Sequence, residues 1–251
     1  MDTKKKPTMK NDQDTFVRHE VTWTPLSSSR LWEFYSSSMA HRKKYFGNRC
    51  GHEVAGLLSR KLFPKVNTIL DYSCGRGDIL AACIPFLKPR HQIYACDISK
   101  DGIEITTKKL EDLPNFTGAT VIETLPSQLQ SQAFDLVIAT EIIEHLNNEE
   151  LQQVLTDSAR ITITGGYIFI TTPYKEDLHS EKTMCPECGC VFHRWQHQRA
   201  WSPDELVSTL RSYGFMTIEC KNVQWGPWPV RLYYWLARLT GNGIYYIGKK
   251  V

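Results

Sequence analysis

The stretch that most constrains this chain is ILDYSCGRGDIL, from Ile69 to Leu80. A short apolar run closes on a carboxylate, Asp71, and two glycines, Gly75 and Gly77, follow at once. A run of that kind, bounded by turn residues, reads as a buried strand. A carboxylate at its tip needs a partner, because burying an unpaired charge is costly. The glycines strip side chains from the turn, so a ligand can approach the backbone closely. At the carboxyl edge of a parallel sheet, the first strand-to-helix turn is a natural ligand site. The stretch therefore asks for an α/β fold that binds something at that edge.

The flanking sequence supplies such a fold. NTILDY, QIYACDIS, GATVIET, AFDLVIAT and GGYIFITTP read as five strands, the last ended by Pro173. Between them, DILAACIPFL stops near Pro89, DGIEITTKKLEDL carries acids early and lysines late, and NNEELQQVLTDSARI completes the helices. A further helix begins with Ser202 as N-cap, Pro203 in first position and Glu205 closing a capping box, and Gly214 ends it. FMTIECKNV and GIYYIGKKV read as the last two strands. Strands alternating with helices imply a parallel sheet covered on both faces. Upstream, residues 1–20 read as a flexible tail. Residues 27–62 read as a helical cap in two pieces, broken near Gly47 and Gly51. Residues 21–251 then form one domain, which the length permits.

The ligand can be narrowed from the same residues. After Gly77 come Asp78, Ile79 and Leu80, so the third glycine of a dinucleotide fingerprint is missing. Asp78 would repel a pyrophosphate at that helix start. A second carboxylate, Asp97, ends the next strand about twenty residues on, where an acid accepts hydrogen bonds from the ribose of an adenosine. An adenosine without a pyrophosphate fits, and a sulfonium with an amino-acid tail fits best, its positive end facing Asp71.

These residues carry a resemblance. ILDYSCGRG resembles the L-D-x-G-C-G-x-G signature of class I S-adenosylmethionine-dependent methyltransferases, with Ser73 in place of the usual first glycine. ACDIS resembles that family's ribose-binding acid, and AFDLVIATEIIEHL its fourth strand and following loop. The match runs in the family's order over about residues 67–225. It implies an α/β fold with a seven-stranded doubly wound, Rossmann-like sheet and helices on both faces. For S-adenosylmethionine it implies Asp71, Ser73, Cys74, Gly75, Gly77, Asp97 and Ile98, with Thr140 at the end of the fourth strand. The adenine is expected against Thr124 and Leu125.

TEIIEHL follows the fourth strand, and Glu141, Glu144 and His145 stand at i, i+3 and i+4 and so are expected to share one helix face. Three readings are open. The residues can be structural, with His145 packed and the glutamates solvated. His145 can be a general base that takes the acceptor's proton. The group can also hold Mg²⁺, Mn²⁺ or Zn²⁺. The segment resembles both ubiquinone-type O-methyltransferases and small-RNA 3′-terminal 2′-O-methyltransferases. In the second group such residues, with a later histidine, hold a metal over a ribose diol. That resemblance implies Glu141, Glu144, His145 and His197, the last lying before Trp201 and Ser202.

Residues 174–200 form an insert after the fifth strand with a claim of its own. CPECGCVFHRWQH offers Cys185, Cys188, His193 and His197 as a tetrahedral zinc set, with Cys190 as a competitor and reduced thiols as the plain alternative. His197 cannot serve both sites, and soft thiolates favour the zinc knuckle. The insert is similar to one in bacterial methyltransferases of surface-glycan and natural-product pathways. The polar start and the scattered cysteines suggest a cytoplasmic protein with reduced thiols, and no apolar run is long enough to span a membrane. The aromatic segment 224–243 reads as core and substrate wall, or as a helix resting on a membrane surface.

The expectation is S-adenosylmethionine-dependent O-methylation of a sugar or other small-molecule hydroxyl. The net charge of +3 is mild and does not itself call for nucleic acid. The alternatives are metal-dependent 2′-O-methylation of an RNA 3′ end and a non-catalytic binding module built on the same fold.

Overall fold

The computed structural model describes residues 17–251. The expected tail lies outside them up to residue 16; beyond it, β1 (His19–Glu20) is a strand, paired in parallel with the insert. Helices α1 (Pro25–Ser37), α2 (Met39–Arg42) and α3 (Phe46–Lys61) follow. The helical cap is in three pieces rather than two, broken at residue 38 and at residues 43–45. Gly47 and Gly51 instead lie within α3. They are there for close packing: a Cβ on Gly47 would come within 2.9 Å of the Asp78 Cβ, and one on Gly51 within 3.2 Å of the Ala82 Cβ.

The alternating part runs β2 (Thr68–Tyr72), α4 (Asp78–Cys83), β3 (Gln92–Asp97), α5 (Lys100–Leu110), β4 (Phe116–Val121), β5 (Phe134–Thr140), α6 (Asn148–Ile161) and β6 (Thr162–Pro173). The insert adds β7 (Lys182–Met184) and β8 (Cys190–His193). The chain ends with α7 (Pro203–Ser212), β9 (Phe215–Val223), α8 (Trp228–Leu236) and β10 (Gly243–Lys250). The main sheet has seven strands in the order β4-β3-β2-β5-β6-β10-β9, with β10 antiparallel to both its neighbours. The order reverses between β2 and β5. That is the topological switch point, where α/β sheets open a crevice at the carboxyl ends of their strands.

Both faces of the sheet are buried, as the strand periodicity requires. On β5, Val137 and Ala139 pack with α6 and α7, while Leu136 and Ile138 pack with α3. Helix α6 turns Leu151, Val154, Leu155 and Ile161 inward at helical spacing. Each such side chain contributes about 1.5–3 kcal/mol by leaving water. Asp135 braces the opposite edge: its Oδ2 accepts from the Asn67 and Thr68 amides at 2.7 and 2.9 Å, tying β5 to β2.

One expectation fails outright. Segment 224–243 is largely not core, since no residue of α8 is buried and Trp228, Tyr233 and Trp235 are 68, 61 and 74% exposed. The helix hangs between β9 and β10, beyond the reach of the sheet. Aromatic spacing fixes which side chains share a face, not what that face meets. Among the described residues, no helix is long and apolar enough to cross a membrane.

Candidate active site at the switch point

The cofactor half is built on β2 and β3. Asp71 is completely buried and neither carboxylate oxygen has a hydrogen-bond partner. Burial, reinforced by Asp97 and Asp78, raises its pKa well above the ordinary carboxylate range. A carboxyl in that state has the chemistry to pair with a cation such as an ammonium group. Asp97 accepts the Gly75 amide on Oδ2 at 2.7 Å and the Ser99 amide on Oδ1 at 2.8 Å. Each oxygen keeps a second lone pair for a ribose hydroxyl.

The turn between them takes the shape the glycines allow. Gly77 has φ of +71°, and a Cβ there would meet Thr106 at 2.9 Å. Ser73 adopts φ of +64°, the left-handed conformation a glycine would hold for less. Cys74 is tied to β3 through its amide, which donates to the Cys96 carbonyl at 3.0 Å. Asp78 opens α4 and pairs with Lys109 at 2.5 Å. Ile98 follows Asp97 with its side chain 79% exposed at the crevice rim. The Ile122 amide donates to the Asp97 carbonyl, so Thr124 and Leu125 follow on the same edge.

The acceptor half is built on the end of β5 and on the insert. Glu141, Glu144 and His145 do not lie on a helix: the chain turns through 141–145 and α6 starts only at Asn148, capped by Asn147. Glu141 has φ of +50°, strained backbone of the kind that gathers at functional sites. Thr140, just before it, registers with Thr171 of β6. The turn still brings the polar groups together. Glu144 is 1% exposed; its Oε2 accepts from the Thr172 hydroxyl at 3.0 Å and its Oε1 is unpaired. His145 Nε2 stands 3.9 Å from Glu144 Oε1. One potential ligand atom each of Glu144, His145 and His197 lie within 4.8 Å of one another.

Burial dominates the electrostatics. It pushes Glu141 up to about 7 and Glu144 well above its ordinary value, Glu144 further through Glu141. Burial first, then His197 and His193, pushes His145 down to about 3. An imidazole that far below neutrality is a poor general base at pH 7. Two carboxyls and neutral imidazoles that cannot hold their charges in isolation suit a divalent cation, which pairs with carboxylate oxygens and imidazole nitrogens together. Glu141 Oε1, Glu144 Oε1 and His145 Nδ1, all buried and without partners, fit that occupant.

The predicted zinc set is not assembled. In the hairpin β7–β8, Lys182 pairs with His193 and Met184 with Val191, which puts Cys185, Cys188 and Cys190 at the closed end. His193 lies at the open end, about 10 Å of extended strand from Cys190. Zinc needs its ligands within about 2.3 Å. His193 and His197 group instead with Glu176. Sequence reading missed Glu176, which stands in YKED with no motif around it. It also missed Trp32, whose ring meets His145 edge-on at 5.2 Å and whose Nε1 donates to Gln196 Oε1 at 2.7 Å.

A doubly wound sheet with this strand order, a glycine turn after β2 and a carboxylate at the end of β3 defines the class I S-adenosylmethionine-dependent fold. The chain belongs to the family described as methyltransferase domain, whose model matches residues 39–219. It is 23% identical over 159 residues to the small RNA 2′-O-methyltransferase of Arabidopsis thaliana. That match covers 56% of this chain and only 16% of the Arabidopsis protein. In structure it is similar to the Burkholderia thailandensis 1,6-didemethyltoxoflavin-N1-methyltransferase solved with S-adenosylhomocysteine, with TM-score 0.64, 14% identity and 93% of each chain covered. It is also similar to the methyltransferase bound to the Trm112 activator of Haloferax volcanii, with TM-score 0.62, 18% identity, and 84% and 93% covered. Likeness at that identity speaks for the fold alone.

Proposed function

We propose that the chain transfers the methyl group of S-adenosylmethionine to one hydroxyl of a vicinal diol, with the help of a divalent cation held by Glu141, Glu144, His145 and His197. The observation that carries this reading is the convergence of Glu144, His145 and His197 at the switch point, with buried unpaired oxygens on Glu144 and on Glu141 at the end of the same strand. The terminal ribose of an RNA 3′ end is the first acceptor, supported by the similarity to the Arabidopsis small RNA 2′-O-methyltransferase. A sugar or other small-molecule diol is the second, supported by the mild net charge of +3.

The cofactor supplies an electrophilic methyl on its sulfonium. The cation supplies Lewis acidity, which eases loss of a hydroxyl proton. The chain does the rest. Asp71 faces the ammonium end, Asp97 takes the ribose, and the switch-point crevice sets acceptor and methyl side by side, where proximity lowers the barrier. Trp32 and the insert close over His145 and limit water.

The test uses labelled S-adenosylmethionine, Mg²⁺ or Mn²⁺, a short RNA with a free 3′ diol, the same RNA after periodate oxidation, and a panel of sugars. Labelling of the intact RNA alone supports the first acceptor, and labelling of a sugar supports the second. Transfer that survives chelation and the Glu141→Gln/Glu144→Gln double variant would sink the cation reading.

A further inference from the structure

His197 has two ring nitrogens, and which one carries the proton decides what the ring can do. Its Nδ1 meets Glu176 Oε2 in a short hydrogen bond. A carboxylate only accepts, so Nδ1 is the protonated nitrogen and Nε2 keeps a free lone pair. A second imidazole packs beside this pair. His193 is 4% exposed and stacks on His197, ring centroids 4.7 Å apart and 20° from parallel. Its Nδ1 accepts the amides of His197 at 3.1 Å and Trp195 at 3.3 Å. Two backbone donors on Nδ1 leave the proton of a neutral ring on Nε2. That Nε2 is buried without a hydrogen-bond partner, and the carboxylate oxygen facing it is Glu176 Oε1 at 3.7 Å.

The cluster of Glu176, His193 and His197 has the composition of a second cation site. The hydrogen bonds argue otherwise. With its proton on Nε2, His193 has no lone pair to offer in that direction. Binding an ion there would cost both backbone hydrogen bonds at Nδ1. Glu176 is instead the acceptor of the His197 N–H, and the buried Nε2 of His193 faces its other oxygen at 3.7 Å, beyond hydrogen-bond range.

We propose that Glu176 and His193 are positioning residues that fix His197 in its Nδ1–H tautomer, so that its Nε2 lone pair is presented to the acceptor centre. The arrangement is the carboxylate–histidine pairing that orients metal-binding imidazoles, with His193 added as a stacked ring that accepts the His197 amide. The cation part rests on the function proposed above; the tautomer is a property of the chain alone. The oxygen of Glu176 nearer His197 keeps the ring from flipping, and the backbone amides of 195 and 197 make the insert's own fold the source of that order.

The experiment is long-range ¹H–¹⁵N correlation of the eight histidine rings in the labelled full chain, without and with Mg²⁺, assigned with His193→Gln and His197→Gln. The expected result in the parent chain is His197 protonated on Nδ1 and His193 on Nε2, before any ion is added. Glu176→Ala is expected to mix the tautomers of His197 and to weaken Mn²⁺ binding by about 10- to 100-fold. Glu176→Gln keeps one acceptor and the side-chain shape, so it is expected to retain the His197 tautomer and lose less affinity; thermal melting confirms that both variants fold. His197 protonated on Nε2, or a second equivalent of Mn²⁺ that disappears in Glu176→Gln, would overturn the proposal. The stated tautomers with no ion bound would uphold the positioning role and overturn the cation-assisted reading of the function.

Discussion

The two halves of the crevice are made in different ways. In the cofactor half, Asp71 and Asp97 sit at the carboxyl ends of the adjacent strands β2 and β3, and Gly75 and Gly77 lie in the turn that follows β2. In the acceptor half, Glu144 and His145 meet Glu176 and His197 across the insert, and Trp32 joins them from α1. The first half is held by the sheet. The second is held by loops pinned to it: Gln198 donates its amide to the Glu144 carbonyl at 2.8 Å, and Arg199 grips the Leu146 carbonyl at 2.8 Å. Strand ends give a rigid cradle, while loops bring chemistry from distant parts of the chain.

The contrast can be broken most sharply at Asp97. Asp97→Ala removes the acceptor of the Gly75 amide together with the proposed acceptor of the ribose, and is expected to weaken S-adenosylhomocysteine binding at least about 100-fold. Calorimetry checks this; Mn²⁺ binding measured on the same variant should stay near that of the parent. Loss of both would mean the halves are one unit.

The converse change is Glu141→Gln with Glu144→Gln. Elemental analysis and single-turnover transfer should show the ion lost and the rate down by about 10²–10⁴, with cofactor affinity kept. Cys185→Ser with Cys188→Ser should leave that ion in place, since the thiols sit at the far end of the hairpin.

Ion binding should also depend on pH with a definite sign. Burial raises Glu141 to about 7 from its ordinary 4.5, so near and below pH 7 a proton occupies the carboxylate and competes with the cation. Mn²⁺ affinity is expected to fall as pH drops from 8 to 6, while cofactor affinity changes less. A flat profile would remove Glu141 from the ligand set.

The smallest effect is at Ser73. Its φ of +64° costs a serine about 1–2 kcal/mol over a glycine. Ser73→Gly should raise the melting temperature by a few degrees, read by circular dichroism, without disturbing the acceptor half.

How much of this was legible follows from the same contrast. The capping box at Ser202 and Glu205, the strand that closes on Asp97 and the alternation of strands with helices were all readable, because each depends on neighbours in sequence. The helix through Glu141 and His145 was not there. The spacing i, i+3, i+4 fits a tight turn as well as a helix when the chain must leave a strand at once. The zinc set failed for a related reason. C-x2-C and H-x3-H spacings each make a plausible half-site, but only the hairpin register shows the halves at opposite ends. Glu176 carried no signal at all, because a carboxylate in a loop acquires a role only from what folds against it.

Local sequence is enough to specify the alternating strands and helices, the glycine turn and the carboxylates at the ends of β2 and β3. Period, capping and turn chemistry are local, and a parallel strand end needs no distant partner to be recognised. Packing between distant segments is what sets His197 against Glu144 and His145 rather than the cysteines, places Glu176 and His193 behind it, and leaves α8 bare. Those outcomes depend on hairpin register and on which buried groups are left without partners, and both are settled when distant segments pack.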